Sequence, residues 1–184
     1  MSATPETPFQ REAFRRALGE YPTAPPQADE EWDLVAFVAR NGGRYLARLR
    51  SIRQGSWSFN AAAFLFAPFW LAYRKLYEWA AAWLVLSIGI DFGFRALASA
   101  ATTDDFGLVS WLVALLMAMG AGLLGYPLLF ARLTQLRRQA DQRHLTGEAR
   151  WAFLQQRGDV SFAGLAAVIA LLGIYYYWRL HYAQ

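Results

Sequence analysis

The sequence predicts an all-α, polytopic membrane protein with about three transmembrane helices, one interfacial or re-entrant helix and amphipathic helices on the cytoplasmic side. Hydrophobic residues make up 56% of the chain and charged residues only 17%, whereas soluble domains carry roughly 25% charged residues. The charges are also segregated, because 16 of the 18 Lys and Arg residues fall in residues 11–75 and 132–157. Three nearly uncharged runs remain that are long enough to cross a membrane, which takes roughly 20 residues.

The chain divides into an arm, a helical region and a membrane domain. Residues 1–29 are predicted to be a weakly ordered arm, in which Pro22, Pro25 and Pro26 favour an extended linker. The polar stretch Met1–Gln10 has no apolar core, so we do not expect a signal peptide, and the first spanning helix should direct insertion. Residues 30–56 form the predicted amphipathic cytoplasmic region, and residues 57–184 form the membrane domain.

Residues 30–53 show the spacing of an amphipathic helix. Gly42 and Gly43 are its weak point and could divide it into two helices. The apolar face lies beside several arginines, which is typical of a helix on the membrane surface. The alternative is a helix packed on the cytoplasmic face of the protein itself. The apolar positions are Leu34, Phe37, Val38, Tyr45, Leu46, Leu49 and Ile52.

Residues 59–75 predict a helix that does not cross the membrane. The apolar run 59–73 has 15 residues, Pro68 interrupts it, and two adjacent cations end it. We expect Asn60 to cap this interfacial or re-entrant helix and Pro68 to bend it. It could be a membrane-entry scaffold or a groove for a lipid headgroup or a partner helix. The candidate contacts are Asn60, Trp70, Tyr73, Arg74, Lys75 and Tyr77.

Three predicted spans follow, at about residues 79–100, 107–130 and 162–182. The turn at 101–106 is short and polar, so the first two spans should be antiparallel neighbours. Its Thr and Asp side chains offer oxygens to cap the second span. The loop 132–159 is basic. We expect it to extend the second helix, break near Thr146 and Gly147, and form a short helix that stops at Gly158.

The distribution of basic residues predicts the orientation. Cytoplasmic loops are enriched in Lys and Arg. Ten of these residues precede the first span, six lie in the 132–157 loop and none lies in the turn at 101–106. The N-terminus is therefore predicted to be cytoplasmic, and three spans place the C-terminus in the periplasm.

Small residues recur at intervals of four in the spans, as in Gly89 with Gly93 and Ala118 with Gly122. Such ridges let helices approach closely in lipid. One interpretation is that the three spans pack on one another. The other is that a ridge docks against a second subunit.

Asp91 and Arg95 are the predicted intramembrane ion pair. They are four residues apart and share a helix face. Charges inside a membrane are costly and often functional. However, Arg95 lies near the outer end of its span and can extend toward the headgroups. A structural pair and a role in proton or ion movement are both open interpretations.

No sequence feature predicts a catalytic, metal or cofactor site. The chain has no cysteine, which excludes disulfides and thiolate-bound metals. Its two histidines, His144 and His181, are predicted to lie on opposite sides of the membrane. The glycines match neither a phosphate loop nor a dinucleotide fingerprint. The arginines flank lipid, so anionic headgroups rather than nucleic acid are the expected partner.

One segment resembles a known family. The stretch Phe-Val-Ala-Arg-Asn at 37–41, Tyr45, and Phe-Asn-Ala-Ala-Ala-Phe-Leu-Phe-Ala-Pro-Phe-Trp-Leu-Ala-Tyr-Arg-Lys-Leu-Tyr at 59–77 are similar to the bacterial membrane family catalogued as domain of unknown function 2628. Ala61, Ala67 and Leu76 stand where that family usually has Trp, Gly and Met. The resemblance covers roughly residues 34–175, and a weaker element lies at 157–161. It implies an inner-membrane protein and brings no established activity.

These observations favour a non-enzymatic membrane protein that is an accessory or scaffold subunit of a larger membrane complex. The alternative is a small transporter or lipid-interacting protein that uses Asp91 and Arg95, which requires a polar cavity at that pair. A membrane enzyme would need a cluster of polar residues at one depth, and the sequence provides none.

Overall fold

The structure is a computed structural model, and it describes residues 28–39, 41–101 and 106–182. All regular elements in this part of the chain are α-helices, which confirms the predicted fold class. The predicted arm at 1–29 lies almost wholly outside the described residues, as do the predicted capping oxygens of Thr102 to Asp105. The helices are α1 (Asp29–Val38), α2 (Gly42–Arg53), α3 (Ala61–Tyr73), α4 (Tyr77–Ala101), α5 (Phe106–Gln142), α6 (Gly147–Gly158) and α7 (Phe162–Tyr182).

Within the described residues, three helical stretches are long and apolar enough to cross a membrane, as predicted. They are Tyr77–Leu97, Leu108–Gln142 and Gly147–His181. The third stretch contains the break between α6 and α7, so its spanning helix is α7. Only 11%, 17% and 11% of their most apolar windows are buried. The protein is therefore a multi-pass membrane protein whose spans expose most of their apolar surface.

The chain forms two compact units. The charged unit comprises the described residues up to Ser58 together with Pro127–Val160, and it contains α1, α2, the end of α5 and α6. The membrane unit comprises Phe59–Tyr126 and the described residues from Ser161 onward, and it contains α3, α4, the start of α5 and α7.

Helix α1 forms the core of the charged unit. The five residues from Leu34 to Val38 are at most 1% exposed. They are enclosed because α1 packs on α2 and on α6. A Cβ on Gly158 would overlap Phe37, so this glycine lets the end of α6 approach α1 in addition to ending its helix. These contacts favour packing on the protein itself over a membrane-surface position for α1.

The predicted division of residues 30–53 is present, although it lies slightly earlier than the glycines. Ala39 and Asn41 have φ values of 55° and 59°, and this left-handed backbone ends α1. Gly42 and Gly43 form the first turn of α2, and both are buried.

Asp33 joins three helices of the charged unit through two arginines. Its side chain is 7% exposed. Arg150 of α6 donates from Nε to Oδ1 and from Nη2 to Oδ2, both at 2.8 Å. Arg137 of α5 donates from Nε to Oδ2 at 2.9 Å. Arg150 also donates to Asp141 at 2.6 Å. A carboxylate that accepts from two guanidiniums in a poorly solvated position is strongly held.

A second ion pair fixes α2 on α1. Arg50 donates from Nε and Nη2 to the two carboxylate oxygens of Glu31 at 2.9 and 2.8 Å. Hydrogen bonding to Glu31 raises the pKa of Arg50 above its ordinary value. Arg53 also pairs with Glu30. Several arginines that appear available to headgroups in the sequence are therefore bound to acidic residues of α1.

Helix α3 begins and bends as predicted. The Oδ1 of Asn60 accepts a hydrogen bond from the backbone N–H of Ala63 at 3.0 Å. The helix is kinked at Phe66 (φ −133°, ψ 39°), two residues before Pro68, which lacks the N–H of a regular helical bond. With 13 residues α3 is about 20 Å long. It is too short to cross a hydrocarbon core of about 30 Å.

Helix α3 ends in a tight reversal centred on Lys75, whose φ is 57°. The N–H of Leu76 bonds to the carbonyl of Leu71 at 2.9 Å, and the N–H of Lys75 bonds to the carbonyl of Ala72 at 3.1 Å. This pair of bonds is the Schellman motif, in which glycine usually takes the left-handed position. The motif turns the chain directly into α4.

The membrane unit is organised around α3, which packs on both α4 and α7. It also contacts α5, because the backbone N–H of Asn60 donates to the carbonyl of Gly122 at 2.9 Å. A Cβ on Gly125 would lie 3.0 Å from Ala63 Cβ and 3.1 Å from Asn60 Cβ, and a Cβ on Gly122 would overlap the ring of Phe59. Small residues on α5 therefore permit the close approach of α3.

The start of α7 is held against the end of α3. The N–H of Ser161 donates to the carbonyl of Tyr73 at 2.8 Å, and the Ser161 hydroxyl accepts from the N–H of Gly164 at 3.0 Å. A Cβ on Gly164 would lie 2.8 Å from the carbonyl oxygen of Ala72 and 2.6 Å from the Tyr77 ring. Gly164 is thus a packing glycine outside the predicted small-residue positions.

The first two spans both contribute to a cavity that α3 also lines. The side chains of Phe64 and Leu65 from α3 share this lining with residues of both spans, and α3 packs on α4. The direct packing of the first two spans on each other stays a prediction.

We expect Asp33→Asn to lower the free energy of unfolding by about 3 kcal/mol, because two guanidiniums lose their shared carboxylate. The matched control is Asp141→Asn, which also removes a carboxylate from Arg150. The Asp141 side chain is 62% exposed, so we expect a cost below about 1 kcal/mol. Chemical unfolding in detergent, followed by tryptophan fluorescence, measures both. Equal costs for the two variants would contradict this assignment of Asp33.

Candidate functional site

A cavity of about 360 Å³, open on one side, is lined by helices of the membrane unit. This volume is within the range of roughly 300–1,000 Å³ that is usual for ligand pockets. Helix α3 contributes Phe64, Leu65, Ala67 and Pro68; α4 contributes Trp83, Ser87, Ile90, Asp91 and Phe94; α5 contributes Ser110, Ala114, Met117 and Ala118; and α7 contributes Tyr176. Most of these side chains are apolar or aromatic, and Asp91 is the charged residue among them.

Asp91 is the centre of a polar cluster that joins α4 to α7. Its Oδ2 accepts from Tyr175 Oη at 2.6 Å and from Arg95 Nε at 3.0 Å. Arg179 Nη2 lies 3.8 Å from its Oδ1. The side chains of Asp91, Arg95 and Arg179 are 32%, 38% and 36% exposed. The predicted pair of Asp91 and Arg95 is therefore present as part of a larger cluster with two cations and one anion.

Tyr175 and Arg179 were not among the predicted site residues, although their spacing in the sequence gives a signal. They are four residues apart on α7, as Asp91 and Arg95 are on α4. Each pair therefore lies on one helix face. Polar residues inside apolar spans usually pair with one another. A search for matched polar faces on two spans could have paired them.

The residues predicted to contact headgroups or a partner fall into a buried group and an accessible group. Asn60, Trp70 and Arg74 are 4%, 8% and 7% exposed, so their side chains present little surface to a headgroup or a partner. Asn60 instead caps α3. Tyr73 and Lys75 are half-buried and Tyr77 is 49% exposed, so these three retain accessible surface.

The small residues predicted to pack helices together fall into a packed group and an unpacked group. Gly122 is packed against Phe59, and Ala118 is half-buried in the cavity lining. In contrast, a Cβ on Gly89 or Gly93 would meet no described atom outside its own helix within 4 Å. The glycines of α4 therefore take no part in packing among the described residues.

Among the described residues, no group of three or more His, Asp or Glu residues could hold a metal ion. His181 stacks on Tyr177 with ring centroids 4.3 Å apart and bonds to the Tyr177 carbonyl through Nδ1 at 2.9 Å.

We expect Tyr175→Phe to lower the free energy of unfolding by about 2 kcal/mol, because hydrogen bonds to charged groups are worth about 1.5–3 kcal/mol. Tyr177→Phe is the control, since it removes a hydroxyl from the same helix and keeps the ring that stacks on His181. Thermal unfolding in detergent compares the two. A loss of the same size in both variants would contradict the hydrogen bond to Asp91.

The comparison with known families agrees with the resemblance at residues 37–77. The model of the family described as protein of unknown function (DUF2628) matches residues 27–129, which is more than half of the chain. The match ends earlier than the resemblance, which extends to about residue 175. No curated protein and no solved structure matches the chain. The chain therefore belongs to the DUF2628 family, and it is a multi-pass membrane protein.

Proposed function

We propose that this protein is a non-enzymatic accessory or scaffold subunit that docks beside a larger complex in the bacterial inner membrane. The observation that carries the proposal is the open face of α4 at Gly89 and Gly93. Glycine inside a helix costs about 1 kcal/mol relative to alanine. Gly122, Gly125 and Gly164 offset this cost through close packing within the membrane unit. Gly89 and Gly93 have no such contact in the described chain.

The shape of this face suits a partner helix. Val85, Gly89, Gly93 and Leu97 are spaced four residues apart, so they lie in one line along a face of α4. Val85 and Leu97 are 72% and 56% exposed. Two glycines between two exposed apolar side chains form a shallow depression that another helix can enter closely. In lipid such packing is a principal source of helix association.

The proposed orientation places the charged unit in the cytoplasm. Its Lys and Arg residues determine this orientation, because the rule counts basic residues rather than net charge. An odd number of spans then places the C-terminus in the periplasm. Arg48, Arg138 and Arg143 are exposed. Each could gain about 1 kcal/mol from anionic headgroups near the surface. We propose no role for nucleic acid.

The second candidate function is a small transporter or a lipid-interacting protein, and the cavity at Asp91 favours it. The lining combines the polar residues Ser87, Asp91, Ser110 and Tyr176 with apolar and aromatic side chains. Such a mixed lining suits a lipid, which has a polar headgroup and apolar chains. A path for ions normally continues through further polar groups.

The docking proposal is tested by recovering the tagged protein from native membranes in mild detergent and quantifying associated proteins by mass spectrometry. We expect one or more membrane proteins at a constant ratio. Gly89→Leu with Gly93→Leu should lower that ratio at least tenfold, because the two side chains fill the depression.

Gly173→Leu is the matched control, since a Cβ at Gly173 on α7 also meets open space. It should leave the ratio unchanged. The docking proposal fails if no protein copurifies at a constant ratio, or if the double variant on α4 retains its partner as fully as Gly173→Leu.

A further inference from the structure

We infer that the cavity of the membrane unit binds one phospholipid, with an acyl chain inside the cavity and the headgroup phosphate at the cluster of Asp91, Arg95, Tyr175 and Arg179. This inference rests on the second candidate function, which it makes specific, and it does not depend on the proposed docking of a partner. It rests on the shape of the cavity, its chemistry and the charge of the cluster.

The cavity is elongated along the helices. Its lining on α4 runs from Trp83 to Phe94, which corresponds to about 16 Å of helix, and its lining on α5 runs from Ser110 to Ala118, which is about 12 Å. A cavity of about 150 Å³ already holds benzene. A volume of about 360 Å³ with this length suits an extended hydrocarbon chain better than a compact solute.

The cavity is accessible from the outside of the membrane unit. Leu65 is 65% exposed, and Ser110 and Ala114 are also exposed, although all three line the cavity. The outer surface of these helices meets lipid. A chain can therefore enter laterally from the bilayer without crossing a layer of protein.

The polar cluster complements a phosphate at one end of the cavity. Asp91 lines the cavity, and Arg95 and Arg179 lie 3.0 and 3.8 Å from its carboxylate. Two guanidiniums against one carboxylate leave a net charge of +1. The guanidinium of Arg179 is farther from the Asp91 carboxylate than that of Arg95. Guanidinium groups bind phosphate oxygens in a fork geometry, so a lipid phosphate is the matching anion.

The position of the cluster along the spans suits a headgroup. Asp91 and Tyr175 lie 14 and 13 residues from the first residues of α4 and α7, which is about 20 Å along each helix. Arg95 and Arg179 lie one turn further toward the opposite end. A lipid of the leaflet at that end would place its phosphate beside these arginines and its chain toward Leu65 and Pro68.

The test is native mass spectrometry of the full-length protein, delipidated and then incubated with palmitoyl-oleoyl phosphatidylglycerol. We expect one bound lipid per protein.

Ala114→Trp fills the cavity and should lower lipid occupancy at least tenfold. Ala163→Trp on α7 is the matched control because Ala163 is exposed and does not line the cavity. It should bind as wild type does. Ala114→Leu is a milder filling variant that should show a smaller loss with less risk to folding.

A second arm tests the headgroup. Arg179→Gln should lower occupancy several-fold, and an alkyl maltoside, which has a chain but no phosphate, should compete poorly. Full occupancy in both Ala114 variants would overturn the site. Equal binding of the maltoside and the phospholipid would overturn the phosphate assignment. A copurifying protein that Ala114→Trp displaces, with no lipid bound to the wild type, would show that a partner helix occupies the cavity instead.

Discussion

The attachment of α3 at Asn60 is the contact on which the membrane unit depends. The Asn60 side chain closes the first turn of α3, and its backbone N–H donates to the Gly122 carbonyl inside α5 at 2.9 Å. Asn60 is 4% exposed, so both hydrogen bonds form where water does not compete effectively. A helix of 13 residues is marginal on its own, and it keeps its place because one residue both caps it and joins it to a span.

This placement of α3 gives the three described spans of the membrane unit a shared contact. Helix α3 packs on α4 and α7 and is fixed to α5 by the backbone hydrogen bond from Asn60 to Gly122. Residues of α3 also line the cavity beside Asp91, together with residues of α4, α5 and α7. On α4, a Cβ on Gly89 or Gly93 would meet no described atom outside its own helix within 4 Å.

Much of the fold could be predicted from the sequence, because length, apolar content and helix-ending residues act locally. Local sequence of this sort predicted the spans, the cap at Asn60, the bend near Pro68 and the break before α6. The candidate site was harder to predict from the sequence, because the residues that contact one another there are far apart along the chain. Tyr175 is 84 residues from Asp91 and Arg150 is 117 residues from Asp33. Arginines that appeared directed to lipid were bound to acidic residues for the same reason.

The attachment of α3 is tested most directly by a distance measurement between spin labels at Ala62 of α3 and Leu108 of α5, both of which are exposed. The chain has no native cysteine, so two introduced cysteines are labelled uniquely. We expect a narrow distance distribution in the otherwise wild-type protein and in Asn60→Ser, which retains a capping oxygen. Asn60→Ala should give a broad one. A distribution in Asn60→Ala as narrow as in Asn60→Ser would contradict the central role of Asn60.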